Sequence, residues 1–156
     1  MKTILIVCTG NSCRSVMAAG LLRRLLKGKG DFDVITAGTS AVKGLPATQE
    51  TIQVMNEQGI DVSSHLSQPV EEEIINRADL ILVMESRQRE YILTHLPQAA
   101  GKTHLLTEFA RVENEDKLVD PDIPDPIGKS LEFYRKVLQI IQEGVVRTVK
   151  KLEATL

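Results

Sequence analysis

Apolar and polar positions along this chain of 156 residues fall into blocks whose period changes from one block to the next. Thr3-Ile4-Leu5-Ile6-Val7 is β-rich and almost wholly apolar, the pattern of a strand covered on both faces. Polar turn residues interrupt it. Ala18, Leu21, Leu22, Leu25 and Leu26 then recur at helical spacing until Lys27-Gly28, a cation followed by a glycine cap. Val34-Ile35-Thr36-Ala37 predicts a second strand, followed by a polar loop over residues 38–46. A helix from Ala47 turns Ile52 and Met55 inward and ends at Gly59. After the connector Val62-Ser63-Ser64-His65, Pro69 and Glu71 open a short helix through Ile75. Leu80-Ile81-Leu82-Val83-Met84 repeats the buried-strand signature, and Ser86 is the predicted cap of a helix over residues 87–96, closed by Pro97. Residues 102–106 are a weaker strand. Residues 107–129, rich in Asp and Pro and without periodicity, read as a loop, and loops of that length are commonly functional. Ser130 caps a final helix whose buried stripe is Leu131, Tyr134, Leu138, Ile141, Val145 and Leu152.

Strands alternating with helices predict a three-layer α/β/α fold around a central four-stranded parallel sheet. The hydrophobic content of 42% suits a single domain over residues 1–156, large enough to bury roughly 70% of its unfolded surface without a metal or disulfide staple. In such sheets ligands bind beyond the carboxyl ends of the strands, so the residues after the first strand carry the interest.

Charge and composition narrow the options. The formal net charge is -2, and no Lys/Arg cluster is interleaved with aromatics, which argues against nucleic acid as a partner. Arg147, Lys150 and Lys151 are the solvated last turns of a helix. The apolar run at the N-terminus is too short for a signal peptide or a membrane span and lacks a small-residue cleavage site, so a cytoplasmic location is expected. Cys8 and Cys13, the only two cysteines, fit a reducing compartment. A reversible bond between them, which would shield Cys8 from over-oxidation, stays open at this point. His65, His95 and His104 are scattered and Cys8-x4-Cys13 lacks zinc spacing, so neither metal nor cofactor is expected. Gly128-Lys129-Ser130 is no nucleotide loop, because the required earlier glycine is Ile123 and no strand precedes it.

The chemistry concentrates in Cys8-Thr9-Gly10-Asn11-Ser12-Cys13-Arg14-Ser15. If this stretch curls around a tetrahedral anion, the N–H groups from Thr9 through Arg14 can point at its oxygens, with Gly10 and Asn11 tolerating the awkward backbone angles. The helix that follows adds the field of its N-terminus, which favours the thiolate of Cys8 as a nucleophile. Arg14 offers a fork of donors for two phosphoryl oxygens, and Ser15 can donate its hydroxyl to the Cys8 sulfur. Attack on a phosphate ester also needs a proton donor for the leaving oxygen. The acidic loop offers Asp116, Asp120, Asp122 and Asp125, of which Asp125, beside Pro126, is preferred over Asp120.

The Cys8-x5-Arg14-Ser15 motif and the order of elements around it resemble the low-molecular-weight protein tyrosine phosphatases, including bacterial protein-arginine-phosphatase-like members. The resemblance implies catalytic Cys8, Arg14 and Asp125, the last from an Asp-Pro pair shortly before the final helix. It implies phosphate binding by residues 9–15 and a bracing network of Asn11, Ser15, Thr36 and His65. It further implies a phosphorylated protein as substrate, turned over through a cysteinyl-phosphate by an enzyme expected to be a monomer. The chain departs from the family pattern at Val16, where proline is common, and at Ala19, where glutamate is frequent. Ile127 stands where eukaryotic members carry a ring-stacking aromatic, so phosphotyrosine hydrolysis has protein-arginine phosphatase as its alternative. Members with that activity carry threonine where this chain has Ser12. Arsenate reductase of the thioredoxin-linked kind is disfavoured, since no cysteine follows Cys13, and retention of Cys8, Arg14 and Asp125 together disfavours a non-catalytic phosphate-binding module.

Overall fold

A computed structural model describes residues 1–111 and 120–155. Its centre is an all-parallel sheet in the order β2-β1-β3-β4, built from β1 (Lys2–Cys8), β2 (Phe32–Gly38), β3 (Leu80–Val83) and β4 (Thr103–Leu105). The period of two along β1 sorts its side chains between two cores. Ile4, Ile6 and Cys8 join a core with α1 (Arg14–Leu26), α2 (Gln49–Glu57) and α6 (Leu131–Glu153), while Leu5 and Val7 join a second core with α3 (Glu72–Arg77) and α4 (Ser86–His95). The result is the three-layer α/β/α arrangement with the phosphate-loop candidate directly after β1.

Local chemistry explains most of the element ends. Thr48 caps α2 by accepting from Thr51 N, and Ser130 caps α6 by accepting from Phe133 N at 3.2 Å. Gly28 and Gly59, just past α1 and α2, take φ of 79° and 76°, angles that glycine adopts without penalty. α4 differs from expectation. It begins at Ser86 with Glu85 in the capping position, and Gln88 Oε1 accepts from Glu85 N at 2.9 Å, so a Glu/Gln pair does the work assigned to Ser86. Pro69 does not open α3; it pairs with Gly38 in an isolated parallel bridge. The stretch expected as unbroken loop after β4 begins with a short helix, α5 (Leu106–Phe109). Among the described residues no helix is long and apolar enough to cross a membrane.

The strand order places a switch in winding direction at β1 and β3, and the crevice beyond their carboxyl ends is where ligands bind in this architecture. The loop after β1 and the Glu85 turn after β3 face one another there.

Candidate active site

Between the end of β1 at Cys8 and the start of α1 at Arg14, residues 9–13 bend continuously without a turn hydrogen bond. Among the described residues, the backbone N–H groups from Gly10 to Arg14 donate to no protein acceptor. A row of unpaired amides leading into a helix N-terminus is an anion-binding concavity. Asn11 supplies the left-handed angle, at φ 54°, which Asn tolerates better than most residues. Gly10 is not in the left-handed region. The glycine the loop depends on is Gly38, at the end of β2. A Cβ there would lie 2.5 Å from Thr9 O and 2.9 Å from Asn11 N, so only a bare backbone lets the loop pack this closely.

A chain of hydrogen bonds runs through the loop to the sulfur. Gln68 N donates to Asn11 Oδ1 (2.9 Å), Asn11 Nδ2 donates to Ser15 Oγ (2.8 Å), and Ser15 Oγ lies 3.0 Å from Cys8 Sγ. Ser15 Oγ accepts from Asn11, which leaves its own proton available to the sulfur. His65 Nε2 lies 2.7 Å from Asn11 O. A carbonyl only accepts, so this nitrogen carries the proton. Burial lowers the His65 pKa from its ordinary value, and the Arg23 charge adds to that against the opposing bond to Asn11. Thr36 joins this network through its backbone: its carbonyl accepts from Gln68 Nε2 at 2.8 Å, and among the described residues its hydroxyl bonds to none of the loop. Gln68 links Thr36 to Asn11.

Arg14 is 1% exposed, and a buried guanidinium left without partners would be strongly destabilising. Its Nη1 donates to Ile123 O at 2.7 Å and lies 3.3 Å from Glu85 Oε1; its Nη2 lies 3.6 Å from Asp125 Oδ2 and 3.5 Å from Thr9 Oγ1. Gln88, also 1% exposed, ties this corner together by donating to Thr9 Oγ1 at 3.1 Å and to Glu85 Oε2 at 3.3 Å. The three described aspartates of the acidic loop divide by geometry. Asp122 Oδ1 accepts from Ser86 N and Oγ, and Asp120 Oδ1 accepts from Asp122 N. Asp125 alone of these three reaches Arg14, while its Oδ1 accepts from Ile127 N. Asp116 lies outside the described residues. Cys8 and Cys13 are both buried free thiols, and Ser12 Oγ is 3.7 Å from Cys13 Sγ.

Sequence reasoning missed Glu85, Gln88, Gln68, Gly38 and Ile123. For Glu85 and Gln88 a signal existed, since an acid followed three residues later by Gln at a strand-to-helix junction is a capping pattern. Nothing local marks Gln68, Gly38 or Ile123, whose contacts to the loop come from other parts of the chain.

A cysteine opening an oxyanion-binding loop between a parallel strand and a helix, with arginine at the loop's end, defines the class of cysteine-dependent phosphatases. The family model described as low molecular weight phosphotyrosine protein phosphatase matches residues 3–156. A probable low molecular weight protein-tyrosine-phosphatase of Ralstonia nicotianae is 40% identical over 154 residues, covering 99% of this chain and 98% of that protein. The solved arginine phosphatase of Geobacillus stearothermophilus superposes with a TM-score of 0.88 at 34% identity, covering 99% of this chain and 95% of that one. The Vibrio vulnificus Wzb protein, solved with benzylphosphonate, gives a TM-score of 0.84 at 34% identity, covering 96% of this chain and 98% of that one. The chain belongs to the low molecular weight phosphotyrosine protein phosphatase family.

Proposed function

We propose that this protein hydrolyses phosphotyrosine on proteins through a cysteinyl-phosphate, with Cys8 as nucleophile, Arg14 and the N–H groups of residues 9–14 as the phosphoryl cradle, and Asp125 as proton donor. The single observation that carries this reading is the hydrogen-bond chain from Gln68 through Asn11 and Ser15 to Cys8 Sγ, beside a row of unpaired amides.

In the first step the Cys8 thiolate attacks phosphorus, the P–O ester bond breaks, and Asp125 protonates the departing oxygen. Charge on the equatorial oxygens is met by the Arg14 fork and the loop amides, whose orientation is fixed before reaction. In the second step water attacks the phosphorus of the cysteinyl-phosphate and the Asp125 carboxylate takes its proton. The P–S bond breaks, and the sulfur leaves as a thiolate that the Ser15 hydroxyl is placed to receive. Asp125 Oδ2 lies 3.6 Å from Arg14 Nη2, beside the guanidinium assigned to the phosphoryl oxygens.

Phosphoarginine is the second reading. It is favoured by the 35% identity to a protein-arginine-phosphatase of Geobacillus stearothermophilus and by exposed Ile127 beside Asp125 where a stacking ring would stand. Side-by-side kcat/KM on phosphotyrosine and phosphoarginine peptides decides between them. A higher value on phosphotyrosine supports the first reading, and a value at least tenfold higher on phosphoarginine replaces it. Cys8→Ser should remove turnover of both while phosphate or vanadate still binds.

A further inference from the structure

The outer half of the phosphate loop has a brace of its own, separate from the Gln68, Asn11 and Ser15 chain. Tyr134, on the first turns of α6, is 1% exposed, and its hydroxyl lies 3.6 Å from Cys13 Sγ and accepts from Thr48 Oγ1 at 3.4 Å. Thr48 Oγ1 in turn lies 2.8 Å from Thr51 Oγ1 and 3.5 Å from Cys13 Sγ, and Thr48 N donates to Ser12 O at 3.2 Å. Since the Thr48 proton goes to Tyr134, the tyrosine's own proton is left to point at the Cys13 sulfur. Hydroxyls thus run Thr51, Thr48, Tyr134 and end on the second sulfur of the loop, as Asn11 and Ser15 end on the first.

We infer that Tyr134 is a positioning residue for the oxyanion cradle: with Thr48 it holds Ser12 and Cys13 so that their backbone N–H groups stay aimed at the phosphoryl oxygens. Three observations support it. Ser12 and Cys13 sit where the loop turns into α1, and Arg14 follows Cys13 directly, so a shift of their peptide planes moves both the amides and the root of the guanidinium. Packing alone would be satisfied by phenylalanine at position 134, yet the chain buries a phenol there, and buried hydroxyls are retained where their bonds are used. Burial also raises the phenol's pKa, so it remains a donor across the working range. The brace comes from α2 and α6, elements remote in sequence from the loop, which gives the C-terminal helix a route to the active site.

The inference rests on the phosphate-loop reading above, so its test reads anion binding directly as well as turnover. Tyr134→Phe keeps the ring and deletes one oxygen; Thr48→Val deletes the relay, and Thr48→Ser restores it. For each variant the Kd of inorganic phosphate is measured by calorimetry, kcat and KM on an aryl phosphate by steady-state kinetics, and Tm by scanning calorimetry. Tyr134→Phe and Thr48→Val should each weaken phosphate binding by about threefold to tenfold, the range expected for one hydrogen bond. KM should rise in proportion with kcat changed less, and Thr48→Ser should lie within about twofold of wild type. A phosphate Kd unchanged in Tyr134→Phe, whatever happens to Tm, overturns the inference. So does a Thr48→Ser variant as impaired as Thr48→Val. Absence of aryl phosphatase activity in the wild type would instead strike the proposed function, and phosphate binding would still be measurable.

Discussion

Between Cys8 and Ser15 the chain is clamped by residues from several other segments, whereas the side chain of Asp125, among the described residues, is tied only to its own turn and to Arg14. Asn11, Arg14 and Ser15 are each at most 1% exposed, and their polar groups bond to residues near positions 65–68, 85–88 and 123. The Asp125 side chain is 34% exposed, and its own tie is a short turn to Ile127 N. The difference follows the chemistry. A phosphoryl group has the same shape in every substrate, so its cradle gains from rigidity. The leaving group belongs to a varied protein surface, and its proton donor sits on an open edge that can accept different neighbours.

That contrast can be broken by substitution. The largest effect is expected at the clamped side. Arg14→Lys keeps the charge but loses the fork, and kcat/KM on an aryl phosphate should fall by about 10³-fold or more. A loss below tenfold would mean the buried guanidinium serves only to hold Glu85 and Ile123. On the open side, Asp125→Ala should lower kcat by about 10²-fold, more for alkyl than for activated aryl leaving groups, whereas Asp122→Ala should lack that leaving-group dependence. An equal loss for good and poor leaving groups would remove Asp125 from the proton-donor role. Next comes Gly38→Ala, whose added methyl meets Thr9 O. It should lower kcat/KM by about tenfold through displacement of the loop, detectable as weaker vanadate inhibition.

The smallest effect is one of pH. The His65 pKa is held below its ordinary 6.5 chiefly by burial, so the unfolded chain takes up this proton at a higher pH than the folded one. Stability from this residue is therefore complete above pH 6.5 and is lost as the pH falls from there through the lower folded-state value. Wild-type Tm should drop over that window by more than that of His65→Gln. Equal slopes for the two proteins would remove the histidine from the loop's support.

The same contrast governs how much could be read from sequence. The sheet was legible because β1 and β3 are continuous apolar runs and the helices carry a 3.6-residue period. The motif from Cys8 to Ser15 was legible because its residues act next to one another. Asp125 required the family resemblance, since an Asp-Pro pair alone is a common turn, and its distance to Arg14 is a tertiary fact. The part Thr36 plays was hidden for the same reason: its hydroxyl is of the expected type, but only the path of residues 65–68 shows that it is linked to Asn11 through its carbonyl, by way of Gln68. Gly38 could not be found locally, because the clash it avoids is with Thr9 and Asn11, far away in the chain.

The central claim is that phosphorus is transferred to the Cys8 sulfur while residues 9–14 hold its oxygens. Rapid acid quench of Asp125→Ala during turnover of a phosphorus-labelled, activated aryl phosphate, whose leaving group departs without a proton donor, followed by peptide mapping, tests it most directly. The account predicts one acid-stable phosphoryl group per chain, confined to the peptide containing Cys8 and absent from Cys8→Ser as a thiophosphate. Label on another residue, or full turnover by Cys8→Ser, would contradict it.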